Sequence, residues 1–136
     1  MNDDVFYFLK KNGAYLLGAN EKQEANLRPF GYAEEIDGKI YFCIANYKEV
    51  YSRIAENPNI EICSFAENGE WLLMNGTAVF DNDLSVKEQI IKKAPTMARI
   101  YQTADNPIFE VFYLENAYVT MCKSGAMPQR FELARA

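Results

Sequence analysis

"NLRPFGYAEEIDGKIYFCIANYKEVYSRIAENPN", residues 26–59, contains two strand-like runs followed by a short amphipathic helix. The runs, 26–36 and 39–45, flank Asp37-Gly38, a dipeptide typical of two-residue β-hairpin turns. The second run is almost entirely apolar, which predicts a strand covered on both faces, with a second subunit as one candidate cover. We therefore expect a hairpin whose second strand runs directly into the helix.

The predicted helix spans residues 47–56 and raises a question of charge. Asn46 is placed to act as its N-cap, with Glu49 three residues later as the acid of a capping box, and Asn57-Pro58 ends it. Lys48 lies in the first turn, where the helix already carries partial positive charge. Either Lys48 is a solvated side chain neutralised by Glu49, or its partner is an anion such as a phosphate.

A second cation, Arg28, lies on the run that is expected to pair with 39–45. Pro29 lacks an amide proton, which indicates a sheet edge or a break in pairing beside Arg28. Arg28 is therefore either an exposed strand residue or a guanidinium fork that binds a terminal phosphate through two hydrogen bonds.

Aromatic side chains near these cations allow two interpretations. Trp71 follows the turn dipeptide Asn68-Gly69 at the start of a predicted strand, where it is either a core anchor or a platform for stacking on a planar ring. Tyr47, Tyr51 and Phe30 carry the same ambiguity. The sequence has neither the P-loop nor the G-x-G-x-x-G motif, so the common glycine-rich nucleotide-binding loops are absent.

Two further helices are predicted from capping signals. The first follows Asp3 or Asp4 as N-cap and ends at Gly13. The second begins at a capping box formed by Ser85 and Glu88, and a further helical turn or two follows it.

The remaining segments read as strands joined by hairpins. Asn68-Gly69 joins one pair of strands, and Glu115-Asn116 is expected to join the last pair. The tail, residues 124–136, is ambiguous, and its pattern fits a loop with a possible edge strand. About seven strands with short helices between them predict an α+β, mainly antiparallel, barrel-like fold, and the length of 136 residues predicts a single domain over 1–136.

Composition excludes several classes of function. The net charge of −5 argues against a general binder of nucleic acid or of anionic membranes. The absence of histidine excludes a histidine general base, a histidine-activated nucleophile and a histidine-ligated metal, so any redox chemistry would come from a cofactor. The three cysteines lack metal-binding spacing, and their odd number favours a reduced, cytoplasmic compartment.

Three segments resemble the small bacterial branch of the pyridoxamine 5'-phosphate oxidase-like family. They read "LRPFGYAEEIDGKIYFCIANYKEVYSRIAENPNIEICSF", "GEWLLMNGTAVFDND" and "NPIFEVFYLENAYVTM", and the similarity extends over residues 5–123. The resemblance implies an FMN-binding split β-barrel that forms a homodimer, with the flavins in clefts between the subunits.

The resemblance also implies cofactor-binding roles for eight residues: Arg28, Pro29, Phe30, Ile44, Ala45, Asn46, Lys48 and Trp71. The positions that match Arg28, Asn46 and Lys48 hold the FMN phosphate and ribityl chain in related proteins. The proline and phenylalanine positions place strand backbone along the isoalloxazine ring. The tryptophan position typically reaches the flavin from the partner subunit.

The sequence also departs from the family pattern. Leu73 stands where related branches often carry an arginine, and the C-terminal substrate segment of true pyridoxamine-phosphate oxidases is missing. The histidine of nitroimidazole-resistance and haem-degrading relatives is absent as well. We therefore expect NAD(P)H-dependent, flavin-mediated electron transfer to a small molecule rather than vitamin B6 oxidation. The alternatives are a non-catalytic flavin-binding stress or sensor protein, and a dimeric scaffold that has lost its ligand.

Overall fold

The computed structural model describes residues 2–19, 25–30 and 32–133, which form four helices and eight strands. In chain order the elements are α1 (Asn2–Asn12), β1 (Ala14–Ala19), β2 (Ala25–Phe30), β3 (Tyr32–Ile36), β4 (Lys39–Ala45), α2 (Glu49–Glu56), β5 (Asn59–Phe65), β6 (Trp71–Phe80), α3 (Leu84–Lys93), α4 (Pro95–Tyr101), β7 (Phe109–Cys122) and β8 (Gln129–Glu132).

The strands form an antiparallel barrel with one strand outside it. The sheet order is β2-β1-β5-β6-β7-β4-β3, and β8 pairs with β7 off this path. One residue, position 31, separates β2 from β3 in the chain, so the two ends of the sheet are joined covalently. The predicted α+β split barrel is confirmed, with eight strands instead of about seven.

Strand β4 is buried along Ile40–Ala45, as its apolar sequence predicted. On one face Phe42 packs into the barrel interior, where Val5 and Leu9 of α1 also lie. On the other face Cys43 packs against α3 and α4. Both covers therefore belong to the same chain, and the second-subunit cover considered for this strand is not needed.

The start of α3 differs from its prediction. Asp83 is the N-cap, and its carboxylate accepts a hydrogen bond from the Ser85 amide at 2.9 Å. The capping box of Ser85 and Glu88 is therefore wrong, because Asp83, two residues earlier, supplies the acceptor and the helix begins at once.

The start of α1 also differs, while its end agrees. The helix already includes Asp3 and Asp4, which lie in its first turn. Their negative charges interact favourably with the partial positive charge of the helix N-terminus, and neither residue caps the helix. Gly13 ends the helix as predicted, with a φ of +76° and its amide donating to the Leu9 carbonyl at 2.9 Å.

Strand β7 is continuous through Glu115-Asn116, so the hairpin predicted there is wrong. Asn116 has a φ of +51°, and the register between β6 and β7 shifts between Asn75 and Thr77. The asparagine signal therefore marks a β-bulge, because β6 pairs with β7 on both sides of it. Gly76 lies opposite, where an added Cβ would sit 2.9 Å from the Glu115 carbonyl oxygen.

The C-terminal tail contributes the short edge strand β8, one of its two predicted alternatives. Residues 134–136 lie outside the described part of the chain. Among the described helices, none is long and apolar enough to cross a membrane.

We expect Gly76→Ala to lower the free energy of unfolding by about 1–3 kcal/mol, because its methyl group would press on backbone that a rotamer change cannot move. Urea titration measures the difference. Ser52→Ala, on the exposed side of α2, is the control and should change stability by less than about 0.5 kcal/mol. Equal stabilities of both variants would show that the bulge tolerates a Cβ.

Candidate functional site

The β-hairpin and the barrel diverge at one point. The pairing of β3 with β4 runs from Ile36–Lys39 to Tyr32–Cys43, and β2 then pairs with β1, where Arg28 lies opposite Leu16. The continuous strand predicted over 26–36 is therefore wrong, and Arg28 does not pair with β4. The reason is barrel closure, since one stretch of chain must pair first with β1 and then with β4.

We call this divergence the fork, and its two arms are residues 28–30 of β2 and residues 44–48 at the end of β4. Seven of the eight predicted site residues lie on its two arms: Arg28, Pro29, Phe30, Ile44, Ala45, Asn46 and Lys48. The β2 residues are placed by backbone and register, and their side chains lie outside the described part. Ile44 and Ala45 have buried side chains, so only their backbone can face a ligand.

Asn46 connects the fork to the loop before β7. Its side-chain amide donates to the Pro107 carbonyl at 2.7 Å, and its backbone amide donates to the Ile108 carbonyl at 3.0 Å. The N-cap of α2 is Lys48, in extended conformation and without a side-chain cap bond. The predicted capping box is therefore wrong: Asn46 lies two residues too early, and Glu49 is the first helical residue.

Glu49, the acid of the first turn of α2, forms an ion pair with Arg53. The Glu49 carboxylate accepts from Nε and Nη2 of Arg53, at 3.1 and 2.6 Å. Lys48 is exposed and forms no ion pair with any described residue. Neutralisation of Lys48 by Glu49, one of the two readings of the sequence, is thus not what the described contacts show.

Arg53 also has a nitrogen without a described partner. Its Nη1 atom is buried and makes no hydrogen bond, although the side chain as a whole is 27% exposed. Its contact with Glu49 places the guanidinium beside the first turn of α2. A buried donor of this kind is usually satisfied by water or by an ion. The sequence analysis did not include Arg53 in the site, although its position four residues after Glu49 predicts an ion pair between the two side chains.

The loop between α4 and β7 forms the wall behind Asn46. Asn106 organises it by donating to the Tyr101 carbonyl at 2.8 Å and accepting from the Ile108 amide at 3.1 Å. The Tyr101 ring stacks on Phe109 with centroids 4.4 Å apart, and its burial is the main cause that raises its pKa to about 12. This loop was not predicted as part of the site, although Asn106-Pro107 is a turn signal that could have located it.

Trp71 lies outside the two arms of the fork, at the start of β6. Its neighbour Leu73 pairs with Cys63 of β5, which pairs with Tyr15 of β1, which in turn pairs with Pro29 of β2. Three strand spacings of about 4.8 Å, roughly 15 Å, therefore separate this row of β6 from the β2 arm. Seven of the predicted residues lie on the arms of the fork, and Trp71 does not.

Trp71 belongs to an outward-facing surface of β5, β6 and β7 that we call the outer face. Its half-buried or exposed side chains that are apolar or aromatic are Cys63, Phe65, Trp71, Leu73, Tyr118 and Cys122. The alternating residues of the same strands, such as Ile62 and Leu72, fill the barrel. Trp71 is thus not a core anchor, which was one of the two readings of its sequence position.

Comparison with solved structures identifies the family. A NimC/NimA family protein from Clostridium acetobutylicum shares 30% sequence identity and a TM-score of 0.87, over 96% of this chain and 91% of that one. The chain belongs to the pyridoxamine 5'-phosphate oxidase-like family.

More distant structures share the fold. A protein related to general stress protein 26 from Clostridium acetobutylicum has 12% identity and a TM-score of 0.75, over 97% of this chain and 94% of that one. A haem-binding protein from Mycobacterium smegmatis has 14% identity and a TM-score of 0.74, over 96% of this chain and 57% of that one. No family model and no curated protein sequence matches the chain.

We expect Asn46→Ala to lower the free energy of unfolding by about 0.5–1.5 kcal/mol, because the Pro107 carbonyl loses its side-chain donor. Urea titration gives the loss, and hydrogen exchange should show faster exchange in residues 102–108. Asn82→Ala, in the exposed segment before α3, is the matched control and should leave both quantities unchanged. Unaltered exchange in Asn46→Ala would show that this bond does not hold the loop.

Proposed function

We propose that the protein is a cytoplasmic, homodimeric FMN-binding oxidoreductase that passes electrons from NAD(P)H to a small molecule. The observation that carries the proposal is the fork, where β2 turns to pair with β1 and β4 continues to Ala45, shortly before α2 begins with Lys48 as its uncapped N-cap. Family membership supports the choice of cofactor, and substrate and acceptor stay open.

The phosphate is proposed to bind at the start of α2. The first amide groups of a helix have no partner within it and carry partial positive charge, an arrangement suited to a phosphate. Lys48 and Arg53 add two cations beside one acid, Glu49. Arg28, whose backbone lies on the opposite arm, is the proposed third cation.

The backbone of residues 28–30 and 44–45 is proposed to line the flavin ring. The role of these residues is to position the ring and to exclude water, since their described side chains carry no acid or base. The flavin itself supplies the chemistry when bound, by accepting a hydride and passing electrons onward. The absence of histidine fits a site where the cofactor carries the reaction.

A second copy is proposed to complete each site. Trp71 lies outside the fork, on the outer face, and we propose that it contacts the flavin of the partner subunit, as the family resemblance implies. In a two-fold dimer each outer face would be covered by its counterpart, and both forks would receive a tryptophan. Burial of exposed apolar side chains favours this association.

Two other functions compete with this proposal: the first is excluded by composition, and the second is tested by measurement. A histidine-ligated haem, suggested by the haem-binding neighbour, is excluded because the chain contains no histidine. A non-catalytic flavin-binding stress or sensor protein remains the alternative, in line with the general stress protein neighbours. FMN titration followed by an assay of NADH and NADPH oxidation with a panel of acceptors separates the two, because only the oxidoreductase turns over.

We expect Lys48→Glu to weaken FMN binding by about 2–4 kcal/mol, because it replaces a phosphate-binding cation by an anion. Quenching of FMN fluorescence on titration measures the affinity. Lys92→Glu, at the exposed end of α3, makes the same change of charge away from the fork and is the control.

Four results of this titration matter. Weakening by Lys48→Glu alone supports the phosphate site. Equal weakening by both variants would indicate only a general effect of net charge. Full affinity of Lys48→Glu would remove this residue from the site, and failure of the unaltered protein to bind FMN would favour the scaffold that has lost its ligand.

We expect Leu73→Asp to convert the protein to monomers at micromolar concentration, because a carboxylate would be buried at the centre of the outer-face interface. Sedimentation equilibrium gives the mass. Thr96→Asp, exposed in the first turn of α4, is the control and should stay dimeric. A monomeric parent protein, or a dimeric Leu73→Asp, would contradict an interface at this face.

A further inference from the structure

A second cleft, of about 290 Å³, opens at the end of β4 away from the fork. It is lined by Gly38 and the start of β4 at Lys39 and Ile40, by residues 113–117 of β7, and by Glu132 at the end of β8 with the following Leu133. It exists because two strands share one edge of β7: β4 pairs with Phe109–Phe112 and β8 with Tyr118–Met121. The stretch of β7 between them faces the cleft, whose volume is at the lower limit of small-molecule pockets.

The floor of the cleft is apolar. Ile40, Leu114 and Ala117 are buried members of the barrel core, and Leu133 packs partly against the same cluster. The floor is therefore continuous with the hydrophobic interior and is shaped by rigid strands. An apolar group resting on it would be removed from water without any rearrangement of the core.

The rim of the cleft is acidic. Glu115 and Glu132 are exposed, and neither forms an ion pair with a described residue. Lys39 is the cation of the rim, and its ammonium lies 4.4 Å from the centroid of the Tyr113 ring, in a cation–π contact. The two carboxylates therefore face the opening without a described counter-ion, so a cationic ligand matches the charge of the rim.

We propose that this cleft binds a small organic cation with an apolar body, such as an arylalkylamine. The apolar body lies on the floor formed by Ile40, Leu114 and Leu133, and the ammonium group lies at the rim with Glu115 and Glu132. Six residues of β4 separate Lys39 from Ala45, roughly 20 Å at about 3.3 Å per residue, so this site and the proposed flavin site are independent.

The test is an NMR titration of the full-length protein with three probes of similar size: 2-phenylethylamine, neutral 2-phenylethanol and anionic 3-phenylpropanoate. We expect the amine to shift amide resonances of Gly38–Ile40, residues 113–117 and Leu133 with a dissociation constant several-fold below that of the alcohol, and the acid to bind weakest. Shifts confined to the fork, equal binding of amine and alcohol, or no shift with any probe would overturn the proposal.

Variants test the charge without disturbing the floor. The double variant Glu115→Gln/Glu132→Gln should weaken amine binding about three- to tenfold, the effect expected for two exposed charge pairs, and leave alcohol binding unchanged. Glu88→Gln, on the exposed surface of α3, is the matched control. Unchanged amine affinity in the double variant would contradict the site. FMN titration of the same samples shows whether the flavin proposal fails separately.

Discussion

The structure depends on the point at which the chain stops pairing with β4 and begins to pair with β1. Up to the pair Tyr32–Cys43 the hairpin is regular, and on the other side of position 31 the strand β2 lies against β1. A barrel closes only if each strand has a neighbour on both edges, so this stretch of chain must serve two neighbours in turn. The cost is an interrupted ladder at the end of β4, shortly before the first turn of α2.

At the start of α2, shortly after this interruption, the local rules of helix capping are broken. A lysine at the N-cap supplies no acceptor for the first amide groups, which costs about 1 kcal/mol relative to serine or aspartate. Asn46, the N-cap predicted from the sequence, lies two residues too early and donates to the Pro107 carbonyl instead. Residues that break a local preference without gain in the folded chain tend to lie where a ligand binds. An anion at this helix start would accept hydrogen bonds from the amide groups. It would also make the electrostatic contribution of Lys48 favourable.

Local signals predicted the features that neighbouring residues determine. Gly13, Asp37-Gly38 and the double burial of β4 follow from backbone freedom and from apolar runs. Signals that a distant partner overrides were misread. Asn116 has the positive φ of a turn residue, yet β6 holds both flanking segments in one strand and converts the turn into a bulge. The change of strand partner between Phe30 and Tyr32 could not be predicted from the sequence either, because it comes from closure of the barrel and not from any preference of the residues there.

The proposed contact of Trp71 with the partner's flavin raises the question whether two acidic chains would associate. Two chains of charge −5 with centres roughly 30 Å apart repel by about 3 kcal/mol in unscreened water. A Debye length of about 8 Å at physiological salt reduces this to well below 1 kcal/mol. Each 100 Å² of apolar surface buried at the outer face would contribute about 2.5 kcal/mol before the entropy of association is subtracted. Hydrophobic contact at the outer face would therefore outweigh net charge in the proposed dimer, which would be limited by the fit of that face rather than by electrostatics.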